Sequence, residues 1–185
     1  MIEIKIYIVN LAAYNAGYLK GEWTTLPIDE DDLNEVINKV LDTSNMSDKA
    51  RWEIGLCEEV AIHDYEGFIK VSECTHIQTL NEQLEELNAY NIDEDELECL
   101  LGFIIDLDEA IALIKKGDIW FIDNIDSYTT LAETLANEHD YFGWFNSTMN
   151  IPESYINWEA VGRDLDCEGE WFIGSNNIAM FIPNC

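Results

Sequence analysis

The sequence predicts an α+β protein laid out in three stretches: a mixed segment over residues 1–75, a helical one over 76–118 and a second mixed one over 119–185. Three observations carry this. The chain opens on strict alternation, with Ile2, Ile4, Ile6 and Ile8 on one side of "IEIKIYIVN", the pattern of a strand with one buried face. Its middle holds three successive segments that each join a capping signal to an apolar stripe at helical spacing. Near its end, "EWFIGSNNIAMFI" sets two apolar runs around Gly174, Ser175, Asn176 and Asn177, a hairpin pattern.

The elements follow in order. After the first strand, "AYNAGYLKGEW" reads as a loop containing Gly and Asn that leads into a second strand near Trp23. "IDEDDLNEVINKVLD" is a helix, with Asp29 as N-cap, acids in its first turn and Leu33, Val36, Ile37, Val40 and Leu41 at helical spacing. "TSNMSDK" is a polar loop, and "EVAIHDYEGF" a strand. In the middle, "TLNEQLEELNAY" opens with a capping box, Thr79 with Glu82, and lines up Leu80, Leu84 and Leu87. "DEDELECLLGFI" offers Asp93 with Glu96, then Leu97, Leu100, Leu101 and Ile104; "DLDEAIALIKKG" offers Asp106 with Glu109 and stops at Lys115, Lys116 and Gly117. "IWFIDNI" is a strand, "SYTTLAETLANE" a helix through Leu131 and Leu135, and Pro152 starts a short helix through Tyr155 and Ile156.

Aromatic residues are abundant and 48% of the chain is hydrophobic, so it can bury a core, unlike a disordered chain. The charge is the outlier. Thirty-eight acids face nine bases, a net charge of -29, where solubility of a small domain needs a magnitude of only about 2–8. Between Lys70 and Lys115 stand twelve acids and no base, and between Lys116 and Arg163 eight more acids and again no base. These acids are threaded through apolar helices and strands, not gathered in a tail. Such a chain repels nucleic acid and anionic membrane surfaces; its natural partner is a basic protein surface, such as the groove in which another protein holds DNA. Duplex DNA carries one charge per roughly 1.7 Å, so -29 matches about 50 Å of duplex. The candidate acids for such a surface are Glu73, Glu82, Glu85, Glu86, Asp93, Glu94, Asp95, Glu96, Glu98, Asp108, Glu109, Asp118, Asp123, Asp126, Glu133, Glu138 and Asp140. The rival reading is an acidic adaptor for some other basic protein.

Sites for chemistry are incomplete. "EEVAIHDYEGF" packs His63, Asp64 and Glu66 together, side chains that bind zinc or relay protons. A strand points residues 64 and 66 one way and His63 the other, and no H-E-x-x-H stands elsewhere, so a structural motif outweighs a metal-dependent hydrolase. Asn91, Asp93 and Asp95 begin like a calcium loop, but Glu96 and Gly102 occupy the positions that need glycine and glutamate. Arg163 beside Asp164 reads as a local ion pair. Cys57, Cys74, Cys99, Cys167 and Cys185 include no C-x-x-C pair; free thiols in a reducing cytoplasm fit them. The sequence suggests no signal peptide before the first strand and no apolar run of membrane-spanning length.

Taken together and in order, "IYIVNLAAYNAGYLKGEW", "AIHDYEGF" and "YINWEAVGRDL" resemble the ArdA antirestriction family, over nearly the whole chain. The resemblance implies a protein of mobile elements that mimics bent B-form DNA and occupies the DNA-binding groove of Type I restriction–modification enzymes, in both the methyltransferase core and the restriction complex. It implies three small domains, 1–75, 76–118 and 119–185, in an elongated protomer that forms a homodimer through the third. There the apolar residues Trp144, Phe145, Tyr155 and Trp158 are the interface candidates. It implies neither cofactor nor catalysis, and makes "AIHDYEGF" a structural motif.

Overall fold

A computed structural model describes residues 1–144 and 152–183. The chain is α+β, as expected, and divides into two compact units, Met1–Asn91 and Ile92–Cys185.

The first unit is built on a three-stranded antiparallel sheet with β1 (Ile4–Asn10) in the centre, β2 (Gly21–Leu26) on one side and β3 (Val60–Glu66) on the other. The alternating isoleucines of β1 are all buried. Asn10, also buried, does two jobs where β1 ends: Oδ1 accepts from Ala13 N–H at 2.9 Å and Nδ2 donates to the Val40 carbonyl at 3.3 Å. The first bond caps a short helix, α1 (Leu11–Asn15), which runs into the start of the stretch expected to be loop. Helix α2 (Glu30–Leu41) starts at Asp29, which accepts from Asp31 N–H; it buries Leu33 and Val40 and packs on all three strands.

A further short helix, α3 (Asp48–Ile54), follows the polar loop; Ser47 caps it and Gly55, at φ 73°, ends it. Its Ala50 and Ile54 pack with Ala13 of α1. Helix α4 (Ile77–Asn88) starts earlier than the Thr79–Glu82 box implied. His76 is its N-cap, Nδ1 accepting from Thr79 N–H at 3.4 Å. Two asparagines, seven residues apart, staple α4 to the N-terminal chain. Asn81 bonds both the N–H and the carbonyl of Ile28, at 2.9 Å each, and Asn88 does the same for Ile2, at 2.8 and 2.9 Å. The first helix of the expected middle stretch therefore belongs to the first unit.

The second unit contains α5 (Glu94–Phe103), α6 (Leu107–Lys116), β4 (Trp120–Ile122), α7 (Tyr128–Asn137), a 3-10 turn (Glu153–Tyr155), α8 (Trp158–Glu168), β5 (Trp171–Ile173) and β6 (Ala179–Phe181). The strands form an antiparallel sheet in the order β4-β6-β5, which contains the expected hairpin. The period of two along β6 sorts the core. Ile178, Met180 and Ile182 pack with Cys99, Leu100, Ile104 and Ala110 of the α5–α6 segment. Ala179 and Phe181 pack with Leu131, Leu135 and Leu165 of α7 and α8. The sheet is thus covered on both faces. At Asp93 both halves of the capping box form, and Gly117 closes α6 in the left-handed conformation. Pro152 precedes a 3-10 turn, and the full helix begins after Asn157, whose side chain accepts from Ala160 N–H.

Candidate partner-binding surface

Elements that bury their apolar stripe must put the acids between those stripes outside. Of the seventeen candidate acids, Glu86 and Glu96 are half-buried and the other fifteen exposed. In the first unit Glu82, Glu85 and Glu86 ride on α4, opposite buried Leu80, Leu84 and Leu87. In the second unit Glu94, Asp95 and Glu98 stand on α5, Asp108 and Glu109 on α6, and Glu133 on α7; Asp118, Asp123, Asp126, Glu138 and Asp140 occupy the connections. Several of these are placed where negative charge is tolerated. Glu94, Asp95, Asp108 and Glu109 lie in the first turns of α5 and α6, against the positive end of the helix dipole.

The charge is unevenly shared. Residues 1–91 contain eighteen acids and six bases, a net of −12; residues 92–185 contain twenty acids and three bases, a net of −17. The first unit spends its bases locally: Lys5 pairs with Glu66 at 3.2 Å, Lys39 with Glu22 at 2.5 Å, Lys49 with Glu53 at 3.7 Å, and Arg51 with Asp48. In the second, Lys116 pairs with Asp118 at 3.2 Å. Glu82, Glu94, Glu98, Glu109, Glu133 and Glu138 have no ion-pair partner among the described residues. Arg163, expected to pair locally, is exposed and makes no ion pair among the described residues.

Individual acids also have structural duties. Thr130 Oγ1 donates to Asp126 at 2.6 Å, and the hydroxyls of Thr130 and Ser127 hold that carboxyl below the usual range. Glu96 closes the capping box by accepting from Asp93 N–H at 3.1 Å. Its carboxyl is pushed up, first by burial and then by the nearby charges of Asp93 and Asp123, which outweigh that hydrogen bond. A carboxyl raised on folding favours the fold while it is protonated, at pH below its unfolded value, and that contribution is lost as pH rises through the folded value. Glu96→Gln keeps the acceptor and removes the charge. Its melting temperature is expected to match the parent near about pH 4 and to exceed it by up to a few degrees at about pH 7. Thermal scans at both pH values check this, and a variant less stable than the parent at the higher pH contradicts it.

The His63 cluster takes a different shape from a regular strand. Ile62 pairs with Ile8 and Asp64 with Tyr7, so His63 is a bulge residue without a partner on β1. Glu66 is drawn off to Lys5 at the far end of the strand. His63 instead meets Glu73, Nε2 to Oε1 at 3.3 Å, and Tyr14, ring edge to face at 4.2 Å between centroids. Among the described residues no group of three His, Cys, Asp or Glu side chains comes together to hold a metal.

The apolar candidates of the third stretch divide. Tyr155 is 82% exposed. Trp144 is half-buried and stacks on Phe142 at 4.3 Å, and Trp158 packs on the α7–α8 core. Phe145 lies outside the described residues. Sequence reading missed α8 and with it Glu159, Asp164, Asp166 and Glu168, all exposed on that helix; the signal was Asn157 three residues before Ala160. The motif glycines of "YLKGEW" and "AVGRDL" prove to be close-packing positions. A Cβ on Gly21 would lie 2.6 Å from the Ile8 carbonyl oxygen, and one on Gly162 2.6 Å from the Tyr128 carbonyl.

The fold and this surface define a class: a small α+β protein whose exposed chemistry is carboxylate held on folded helices. The family described as antirestriction protein (ArdA) matches residues 6–179, and the chain belongs to it. No curated protein matches the chain. No described helix is long and apolar enough to cross a membrane.

Proposed function

We propose that this chain imitates the phosphate charge of duplex DNA with surface carboxylates and blocks the DNA-binding groove of a Type I restriction–modification enzyme, in its methyltransferase core and in its restriction complex. The observation that carries the reading is the set of exposed carboxylates on folded helices that have no ion-pair partner among the described residues, Glu82 on α4, Glu94 and Glu98 on α5, Glu109 on α6 and Glu133 on α7. A basic groove that releases counterions on binding phosphates gains the same release from carboxylates already fixed on a scaffold, with little ordering left to do on binding. No bond is made or broken, so the activity is stoichiometric and needs no cofactor. The division into three domains, the elongated homodimer and its contact through Trp144, Phe145, Tyr155 and Trp158 belong to this proposal, as does action in the cytoplasm. Exposed Tyr155 supports the contact.

Titrating the purified chain into a Type I restriction reaction tests it. DNA cleavage is expected to stop near one inhibitor dimer per enzyme, with the DNA intact, and equally when the inhibitor has been dialysed against a chelator before mixing. The same preparation is expected to sediment as a dimer at micromolar concentration. Undiminished cleavage at large excess contradicts the proposal; activity lost with a bound metal and restored with it makes the protein a metalloprotein; a monomer that still inhibits removes only the dimer.

A further inference from the structure

An open cleft of about 360 Å³ lies against β3 in the first unit, walled by Tyr14, His63, Asp64, Tyr65 and Glu73. Its shape begins with the bulge. An extra residue in a strand re-aims side chains, and here it lets His63, Asp64 and Tyr65, neighbours in sequence, line one cavity. The His63 side chain is only 17% exposed. Its Nε2 is fully buried and makes no hydrogen bond; Glu73 Oε1 is near, at 3.3 Å, but not in hydrogen-bond geometry. The ring therefore forms a closed part of the wall, and the groups open to an occupant are Asp64, Glu73, Tyr14 and Tyr65.

The cleft offers acceptors and asks for donors. Glu73 accepts. Asp64 takes Tyr65 N–H on Oδ1 at 2.9 Å, which leaves Oδ2. No Lys or Arg lines the cavity, while two tyrosine rings do. Among side chains, a planar guanidinium brings five donors in a fixed fork and stacks on aromatic rings, whereas an ammonium is a compact point charge that does neither. We propose that this cleft receives an arginine side chain of the protein partner, a discrete anchor beside the distributed acidic surface. The proposal rests on the reading of the chain as a ligand for a basic groove, and deepens it by naming one contact.

Two measurements on the full chain test it. In the first, methylguanidinium and methylammonium are titrated separately while the His63 ring resonances are followed. Methylguanidinium is expected to shift them saturably and several-fold more tightly than methylammonium, and the double variant Asp64→Asn, Glu73→Gln is expected to lose the effect. In the second, affinity for the Type I enzyme is compared between Glu73→Gln, Asp64→Asn and Glu82→Gln, each with its fold checked by circular dichroism. The first two are expected to bind about tenfold more weakly and the third within about twofold of the parent, although all three lose one charge. Unmoved His63 resonances, or three equal effects on affinity, overturn the proposal. If the parent does not bind the enzyme at all, the reading as a groove ligand falls, and the guanidinium titration still decides the cleft.

Discussion

Gly162→Ala is expected to destabilise the second unit by about 2–3 kcal/mol, the usual cost of forcing a methyl group into a filled site. The added Cβ would stand 2.6 Å from both the carbon and the oxygen of the Tyr128 carbonyl and 2.8 Å from Thr129 N. These are backbone atoms at the start of α7, so no side chain can swing away; α7 and α8 must separate, and the core around Leu131, Leu135 and Leu165 opens with them. Gly102→Ala is the matched control. It sits inside α5 with no atom of the described residues within 4 Å of the new one, so replacing glycine in a helix should add up to about 1 kcal/mol of stability. Denaturant unfolding followed by circular dichroism measures both. Equal midpoints for Gly162→Ala and the parent would mean that the two helices do not meet at this separation.

That contrast also shows what a single sequence displays. Asp93 and Glu96 announce the start of α5 because a capping box is entirely local, and the alternating isoleucines announce β1 because a strand's period is short. Thr79 and Glu82 had the same spacing, yet the helix begins three residues earlier. A histidine ring is outside the usual set of capping side chains, and Ile77 had to be buried. Helix α8 does carry an inward stripe, Trp158, Val161 and Leu165 beside Gly162, but a glycine in its middle weakens a helical pattern, and the helix was overlooked. The tight approach that lets a glycine serve as a core residue is a tertiary fact. For the same reason the assignment of α4 to the first unit was hidden: it depends on Asn81 and Asn88 reaching Ile28 and Ile2, 53 and 86 residues away. The acidic surface was more legible, since charge needs no partner to be counted. What the sequence could not show is which acids cap helices, as Asp93 and Asp106 do, and which, such as Glu94 and Glu98, have no ion-pair partner among the described residues. The bulge that gathers His63, Asp64 and Tyr65 at one cleft was also out of reach, because a bulge breaks the alternation from which side-chain direction is read.

Progressive neutralisation of the acids between Glu82 and Asp140 is expected to erode inhibition in steps, with no single one decisive. Each carboxylate supplies a small share of a field screened over about 8 Å at physiological salt. Glu85→Gln, Asp95→Asn and Glu98→Gln are each expected to change affinity for the target by less than about threefold, under 1 kcal/mol, in keeping with exposed charge pairs. Combining eight or so is expected to weaken it by several orders of magnitude and to flatten its dependence on salt, because fewer counterions are released when fewer charges dock. Caps such as Asp93 and Asp106 should be left in place, so that loss of binding is not loss of a helix. Circular dichroism on each variant separates the two. A single substitution among these exposed acids that abolishes inhibition, with fold intact, would point to a discrete site in place of a charged surface.

The most direct measurement is competition for the groove. A fluorescent duplex bearing the recognition site is bound to the Type I methyltransferase core, and the purified chain is titrated in at several salt concentrations. Mimicry predicts complete displacement of the duplex, an apparent affinity that falls as the duplex concentration rises, and a steep loss of the chain's own binding as salt increases. A stable ternary complex, with chain and duplex held together on the enzyme, would contradict it and leave an acidic adaptor bound elsewhere on the surface.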